Sequence, residues 1–393
     1  MSRAFLERCP RRHLVIHMDI NRTIIQVDSA GQRTMEDALN GNIAANVWGR
    51  CEGDKWVAVL GPEEEGDRSG LVTFDKYVDN SYTEPPLMQE LPKAERDCIW
   101  RDISAKRRSV VRTFTHAGQP GENYAQHVEE QRKVLTAASN CSMVPSFFQL
   151  VNTLSELNWS FTMIFRTFGH DLANVLQEWR QFLFGEHAHK PQGVLLRRMK
   201  EKYVPEATGC IFRAEDHIFF CVGPDKAAVV HHPEGAEKLS SSEILAQLSA
   251  MPSCKEVHQT NFMQLHDQIL EYTSTSNNVG GIVDYYPFWA QGAERRSGGK
   301  VFPVAITSSS CVTAPVTPRF YVFFDDNIFI GEEKSIVDLR DIVTGKSITD
   351  AAIERKYCVA VNPYKATVDK EYFVDCLAGR IRLQLGEDEI CID

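Results

Sequence analysis

The sequence His13-Leu14-Val15-Ile16-His17-Met18-Asp19-Ile20-Asn21-Arg22-Thr23 joins an apolar run to polar side chains that follow at steps of two. Residues 14–18 are apolar except for His17, and this pattern predicts a buried strand. Open α/β sheets bind their ligands at the carboxyl ends of the strands, so Asp19 is expected at a ligand site. At such a place an aspartate can attack a phosphoryl group and ligate Mg²⁺.

The rest of the chain predicts an α/β fold with a doubly wound, mostly parallel sheet, because apolar strands alternate with helices. Buried strands are predicted at 161–165, 319–326 and 357–361, and other strands or extended segments at 56–60, 71–78, 217–222 and 227–231. Helices are predicted at 40–48, 121–138, 145–157, 171–184, 262–272 and 368–376. A linker or an extended arm is expected at 81–92.

The composition restricts the class of protein. With 393 residues, of which 43% are hydrophobic, the chain can form two domains, or one domain with a large insertion. A net charge of −10 argues against a nucleic-acid partner, although a local cluster of donors with a metal can still bind a small anion. No apolar stretch approaches the length of a membrane span, so no membrane partner is expected.

The cysteines predict a cytoplasmic protein with reduced thiols. Their number, eleven, is odd, and no signal peptide precedes them. No pair has C-x-x-C spacing, which also argues against a structural zinc site. The sequence does not indicate an oligomeric state.

Three of the predicted strands end in residues that can bind a phosphate and its metal. Asp19 follows the first strand, Thr167 follows the second, and Asp325 and Asp326 end the third. Because the carboxyl ends of parallel strands share one edge of a sheet, these residues are expected to converge. Mg²⁺ usually takes one or two carboxylates and completes its octahedron with water and phosphate oxygens. Thr167 would hold a phosphate oxygen ahead of a helix, and Lys300 would neutralise the remaining charge.

These motifs resemble those of the haloacid dehalogenase-like superfamily of phosphotransferases. The segment from Asp19 to Thr23 is similar to its D-x-D-x-T motif, and Thr167 is similar to its strand-end Thr or Ser. Lys300, followed by a strand that bears Asp325 and Asp326, is similar to its Lys before a D-D strand. The resemblance covers the segments 10–30, 140–185 and 280–380, and it leaves 35–140 and 190–260 uncovered.

The resemblance implies a domain organisation. Residues 1–34 and 141–393 would form a Rossmann-like core, with an insertion at about 190–260 in the second part. Residues 35–140 would form a cap inserted after the first motif, in the position that the superfamily calls C1. The cap would select the substrate.

The resemblance also implies roles for single residues in the turnover of a small phosphorylated metabolite. Asp19 would be the nucleophile and form an aspartyl-phosphate, while Thr167 and Lys300 would bind the phosphate. Thr23 and Arg166 are further candidates for contact with the substrate.

The implied cofactor is Mg²⁺. It would be held by Asp19, by the backbone carbonyl of Asn21, and by Asp325 or Asp326. Asp325 is the preferred ligand of this pair, with the other acid in a supporting position.

Asn21 departs from the motif, because active phosphatases of the superfamily usually carry a second aspartate there as general acid and base. An amide does neither at neutral pH, and general acid–base catalysis contributes roughly 10²–10⁴ in rate. The sequence therefore predicts weakened turnover: activity on good leaving groups only, transfer rather than hydrolysis, or no catalysis. The last case defines the alternative function, a non-catalytic protein that binds a phosphorylated ligand or a protein partner in the same cleft.

Some of these residues also have structural interpretations. Arg166 can form a structural ion pair, and Lys300, after two glycines, can lie in a solvated turn. The aromatic stretch 284–289 can pack in the core or form a wall that faces the substrate.

Overall fold

Two compact units form the part of the chain that this computed structural model describes, namely residues 1–26, 34–53, 55–86, 88–137, 141–214, 217–223, 240–291, 294–306 and 318–390. The first unit consists of Met1–Ile25, Met143–Val361 and Asp369–Asp393. The second unit consists of Gln26–Ser142 and Asn362–Val368.

The described residues form thirteen strands and fourteen α-helices. The strands are β1 (His13–Asp19), β2 (Trp48–Glu52), β3 (Lys55–Leu60), β4 (Val72–Thr73), β5 (Phe161–Thr167), β6 (Ala207–Ala214), β7 (His217–Val222), β8 (Glu256–Thr260), β9 (Val279–Asp284), β10 (Lys300–Val304), β11 (Arg319–Asp325), β12 (Val337–Asp341) and β13 (Cys358–Ala360). The helices are α1 (Ser2–Arg8), α2 (Met35–Ala44), α3 (Phe74–Ser81), α4 (Lys93–Val111), α5 (Ala125–Thr136), α6 (Pro145–Glu156), α7 (Leu172–Phe184), α8 (Gly193–Glu201), α9 (Ser241–Ala250), α10 (Phe262–Ser274), α11 (Tyr286–Gln291), α12 (Ala351–Tyr357), α13 (Pro363–Val368) and α14 (Tyr372–Ile390).

An eight-stranded sheet lies at the centre of the first unit, in the order β13-β11-β1-β5-β9-β6-β7-β8. The strands from β13 to β6 pair in parallel, and β7 and β8 extend the sheet in the antiparallel sense. The predicted α/β fold with a mostly parallel sheet is confirmed. Since β1 has β5 on one side and β11 on the other, the strand order reverses at β1, and α/β sheets form their ligand crevices at such switch points.

The strands at the middle of this sheet are apolar because both of their faces are covered. In β1, Leu14, Ile16 and Met18 are fully buried, and β5 and β11 are buried along almost all of their length. Continuous apolar runs are typical of parallel strands that are covered on both faces. A separate parallel pair, β10 with β12, belongs to the same unit, and Lys300 is the first residue of β10.

The second unit contains a three-stranded antiparallel sheet in the order β3-β2-β4, together with α2, α3, α4, α5 and α13. Three aromatic rings form its packed centre. The Phe74 ring stacks on Phe114 with centroids 4.3 Å apart, and the edge of Trp56 meets Phe74 at 5.1 Å. The buried Asn42 amide donates hydrogen bonds to the side-chain oxygens of Gln131 and Gln26, which links three polar residues inside this unit.

Most of the secondary structure that the sequence predicted for the first unit is confirmed. The helices predicted at 145–157, 171–184 and 262–272 are α6, α7 and α10, and the strands predicted at 161–165 and 319–326 are β5 and β11. The prediction of a helix at 368–376 is wrong about the first residue of the helix, because α13 ends at Val368 and α14 begins at Tyr372. The strand predicted at 227–231 lies outside the described residues.

The predictions for the second unit are less accurate. The helix predicted at 40–48 is Met35–Ala44, because a capping box between Thr34 and Asp37 starts it earlier. The segment 71–78, predicted as extended, is mostly α3. Helix α4 was not predicted, since its residues are mainly polar and its sequence shows no clear apolar stripe.

The described residues contain no helix that is long and apolar enough to cross a membrane. Nine cysteines lie among these residues, and each is a free thiol. No disulfide therefore contributes to the stability of the part of the chain that the structure describes.

Because β1 lies in the middle of the sheet, two leucine substitutions are expected to differ greatly in their effect on the free energy of unfolding. Leu14→Ala removes a fully buried side chain from β1 and is expected to lower the free energy of unfolding by about 2–5 kcal/mol. Leu383→Ala in α14 removes a side chain that is 44% exposed and is expected to change it by less than about 0.5 kcal/mol. Urea denaturation followed by circular dichroism measures both values. Equal losses in the two variants would contradict the central position of β1.

Candidate active site

The candidate site lies at the carboxyl-end edge of the parallel sheet. Asp19 is the last residue of β1, Thr167 is the last residue of β5, and Asp325 is the last residue of β11. β1 lies directly between β5 and β11, so the three strand ends are neighbours. Lys300, from β10, reaches the same edge. The structure thus brings together residues that are up to about 300 positions apart in the sequence.

The Lys300 ammonium group links two of the acids. Its Nζ donates a hydrogen bond to Asp325 Oδ2 at 2.8 Å and another to Asp19 Oδ1. The three side chains are buried, with exposures of 2% for Lys300, 0% for Asp325 and 7% for Asp19. Buried charges are stable only when they are paired, so each of these groups depends on the others. The burial also excludes the alternative that Lys300 lies in a solvated turn.

Asp326 adds a third carboxylate to this pair. Oxygens of Asp19, Asp325 and Asp326 all lie within 4.8 Å of one another. The Thr23 hydroxyl donates to Asp19 Oδ2 at 2.9 Å and accepts a hydrogen bond from the Asp326 amide at 3.2 Å. An Arg22 nitrogen lies 3.5 Å from the Asp326 carboxylate. A cluster of carboxylate oxygens is the donor set that Mg²⁺ prefers, so these residues fit the implied metal.

Burial and mutual repulsion control the charge of this cluster. Burial raises the pKa of Asp19 well above its ordinary value, Asp325 raises it further, Lys300 lowers it, and Asp326 again raises it. Burial lowers the pKa of Lys300, but Asp19, Asp325 and Asp284 outweigh this effect and leave it above its ordinary value. Lys300 is therefore charged at neutral pH. Lys300 and Arg22 together face three acids, so the cluster still has more acids than cations.

Asn21 connects Thr167 to a carboxylate that the sequence interpretation did not include. The Thr167 hydroxyl donates to Asn21 Oδ1 at 3.4 Å and accepts a hydrogen bond from the Gly169 amide at 2.8 Å. The Asn21 amide Nδ2 donates to Asp171 Oδ2 at 2.8 Å. Thr167 is fully buried and Asp171 is 8% exposed. Asp171 is the first residue of the helix that the sequence predicts at 171–184, where aspartate is usually a capping residue.

Arg166 lies in a buried ion pair, as its structural interpretation proposed. Its Nε and Nη2 donate to the two carboxylate oxygens of Asp284 at 2.9 and 2.5 Å. Its Nη1 donates to the Val301 carbonyl at 3.1 Å and lies 2.9 Å from His17 Nδ1. Burial and the charge of Arg166 lower the pKa of His17, so its imidazole is neutral and can accept this hydrogen bond. With its guanidinium group fully buried among these partners, Arg166 is not placed to contact a substrate.

The aromatic stretch 284–289 was predicted either to pack in the core or to form a wall that faces the substrate. Its residues differ in this respect. Tyr285 is buried and packs on Phe212, while Tyr286 is 44% exposed. The Trp289 ring stacks on Phe168 with centroids 5.4 Å apart, and Lys300 Nζ lies 5.2 Å from the Phe168 ring. Part of the stretch therefore packs in the core, and part lies beside the candidate site.

Sequence reasoning missed two acids of this region, Asp171 and Asp284. Asp284 ends β9, and the rule that singled out Asp19 would have found it if the glycine-rich strand had been predicted. Asp171 follows no strand directly, so strand patterns could not have identified it.

Comparison with known proteins assigns no family to this chain. A scan against protein-family models, a search of curated proteins and a search of solved structures all returned no match. Its function has to be inferred from the side chains at the sheet edge.

Removal of the Lys300 charge is expected to destabilise the fold. Lys300→Met leaves Asp19 and Asp325 buried without their ammonium partner, and such a loss costs about 3–5 kcal/mol. Lys334→Met removes a lysine that is 48% exposed and contacts Glu332 at the surface, where a loss of at most about 1 kcal/mol is expected. Urea denaturation at pH 7.5 measures the difference.

The loss in Lys300→Met is expected to shrink as the pH falls. Lys300 lowers the pKa of Asp19, so its removal leaves that pKa still further above the unfolded value. A carboxyl group with a raised pKa in the folded state favours folding when it is protonated and disfavours folding as the pH rises through that pKa. The same denaturation at pH 5.5 should therefore show a smaller loss than at pH 7.5. A loss that does not depend on pH would contradict this electrostatic explanation.

The Arg166 ion pair predicts a second stability effect. Asp284→Asn replaces the carboxylate that both guanidinium nitrogens contact, and we expect a loss of about 3–5 kcal/mol in the free energy of unfolding. Asp267→Asn, at a side chain that is 85% exposed, is the control and should change the stability by less than about 0.5 kcal/mol. Thermal and urea unfolding measure both variants. An unchanged stability in Asp284→Asn would show that Arg166 is not held by this ion pair.

Proposed function

We propose that this chain hydrolyses or transfers the phosphoryl group of a small phosphorylated metabolite, with Asp19 as nucleophile and Mg²⁺ as cofactor. The observation that carries the proposal is the meeting of Asp19, Asp325 and Lys300 at the switch point of the sheet. These groups come from three different strands, and each is buried and charged or able to become charged. A structural role alone would be served as well by apolar side chains.

The phosphoryl chemistry follows from the groups at this edge. Asp19 Oδ is the attacking atom, and the Thr23 hydroxyl fixes the orientation of its carboxylate. Lys300 neutralises the charge that Asp19 and an incoming phosphate bring together. Thr167 lies at the end of the neighbouring strand, ahead of α7, where its hydroxyl can donate to a phosphate oxygen in place of Asn21 Oδ1, from which it lies 3.4 Å.

The carboxylates of Asp19, Asp325 and Asp326 would hold Mg²⁺. The ion would supply the positive charge that Lys300 and Arg22 do not provide for three acids, and it would stabilise the charge of the transferring phosphoryl group. This need for charge explains why acids with unfavourable burial would be retained at one edge of the sheet.

The alternative function is binding of a phosphorylated ligand without catalysis, and Asn21 favours it. An amide at this position cannot exchange a proton with the leaving group. The two functions share the same cluster of acids and differ in turnover, so one set of measurements separates them.

The first measurement is the thermal stabilisation of the whole chain by beryllium fluoride with Mg²⁺, which together mimic a phosphorylated aspartate. A ligand at 100 times its Kd should stabilise the chain by about 2.7 kcal/mol, which corresponds to a rise of several degrees in Tm. Mg²⁺ or beryllium fluoride alone should give a much smaller shift. Asp19→Asn should lose the combined shift, and the control Asp267→Asn should keep it.

Turnover of acetyl phosphate and p-nitrophenyl phosphate then separates the functions. Stabilisation together with Mg²⁺-dependent release of phosphate supports the enzyme. Stabilisation without turnover of either compound supports the non-catalytic binder. If Asp19→Asn and the unmodified chain show the same shift, the assignment of Asp19 as the reacting group is wrong.

A further inference from the structure

The candidate site has a nucleophile but no carboxylate at position 21 to protonate a leaving group. Cleavage of a phosphate ester leaves an alkoxide, which needs a proton, and hydrolysis of an acyl phosphate needs a base for water. Asn21 can do neither. If the chain turns over esters, a second group at the same edge must protonate the alkoxide and deprotonate the water.

Asp171 is the carboxylate that contacts Asn21. Its Oδ2 accepts a hydrogen bond from Asn21 Nδ2 at 2.8 Å, so it lies one hydrogen bond away from the side chain that occupies the motif position. The same Asn21 amide accepts a hydrogen bond from Thr167, the residue at the end of the strand next to β1. Asp171 is 8% exposed.

Asp171 stands at the start of α7 but does not cap this helix. It is the N-cap residue of α7, yet its side chain makes no capping hydrogen bond to that helix. The N-cap side chains of α2, α9, α10 and α12 do accept hydrogen bonds from the first turn of their helices: Thr34, Ser240, Asn261 and Asp350. The backbone of Asp171 is helical (φ −81°, ψ −4°), which turns its side chain away from the capping position, and its carboxylate accepts the hydrogen bond from Asn21.

We propose that Asp171 is the general acid and base of the phosphoryl transfer, in place of the carboxylate that position 21 lacks. The proposal rests on the proposed function, because it requires Asp19 to be the nucleophile. Asn21 is then a positioning residue: its amide holds the Asp171 carboxyl group beside Thr167 and does not itself exchange protons.

The two steps balance as follows. In the first step Asp19 Oδ bonds to phosphorus, the bond from phosphorus to the ester oxygen breaks, and the proton of Asp171 moves to that oxygen. In the second step a water oxygen bonds to phosphorus, the bond to Asp19 breaks, and the water gives a proton to Asp171. An ester and water become an alcohol and phosphate, and both carboxyl groups return to their initial state.

Asp171→Asn tests the proposal, because it keeps the shape and the contact with Asn21 but removes the proton exchange. With p-nitrophenyl phosphate, whose leaving group needs little protonation, we expect a burst of one p-nitrophenol per chain at nearly the unmodified rate. Steady turnover should then fall by roughly 10²–10⁴, since water loses its base. With glycerol phosphate, whose leaving group needs a proton, the first step should also slow by a similar factor.

Three measurements make this test specific. The shift in Tm with beryllium fluoride and Mg²⁺ should persist in Asp171→Asn, which shows that the fold and the nucleophile are intact. Asp350→Asn, at the capping aspartate of α12, is the matched control and should leave turnover unchanged. Asn21→Asp in the Asp171→Asn chain should recover turnover at least tenfold, because it returns a carboxylate to the same hydrogen-bonded pair.

Every result that differs from these expectations contradicts a particular part of the proposal. Turnover in Asp171→Asn equal to that of the unmodified chain excludes Asp171 as acid and base and leaves the proposed function standing. Loss of both the burst and the Tm shift makes Asp171 a structural residue. If the unmodified chain shows the shift but turns over none of the substrates, Asp171 has no catalytic role and the chain is a binder. If it shows neither shift nor burst, the proposed function itself is wrong.

Discussion

The Lys300 ammonium group holds two buried carboxylates at one edge of the sheet, and the rest of the candidate site depends on this contact. Asp19 and Asp325 end neighbouring strands, where their charges would repel each other in the absence of a cation. Lys300 belongs to β10, which pairs with β12 outside the large sheet. The contact therefore joins two separate sheets of the first unit through charge, and it places an ammonium group beside the residue that is proposed to react.

The same contact leaves the site short of positive charge. Three acids face Lys300 and Arg22, and the pKa of Asp19 is raised first by its burial and then by Asp325 and Asp326. Such an arrangement is unfavourable for stability, and sites of this kind are retained where a ligand relieves the repulsion. A divalent cation can relieve it directly. A phosphate would add negative charge to the same cluster, so the proposed reaction requires such a cation as well.

The sequence predicted the site best where one physical rule relates a pattern of residues to a position in the fold. Apolar runs that end in Asp19, Thr167 and Asp325 indicated strands of one parallel sheet, and strands of such a sheet share an edge. Lys300 was included because a phosphate site needs a cation and this lysine precedes the strand of Asp325 and Asp326. No pattern in the sequence shows that its side chain reaches that edge. Arg166 shows the limit of this reasoning: its charge suggested contact with an anion, but the partner, Asp284, ends a strand that was not predicted.

Asn21 shows how the position of one carboxylate can follow from the charge of its neighbours. A fourth acid at position 21 would lie two residues from Asp19, at an edge where three carboxylates already outnumber the cations, and would increase their repulsion. The amide avoids this charge and still forms hydrogen bonds on both sides, to Thr167 and to Asp171. Asp171 belongs to the start of α7, one hydrogen bond farther from the cluster, where a carboxylate adds less repulsion. With the carboxylate at position 171 and not at position 21, proton transfer is kept and the negative charge around the nucleophile is smaller.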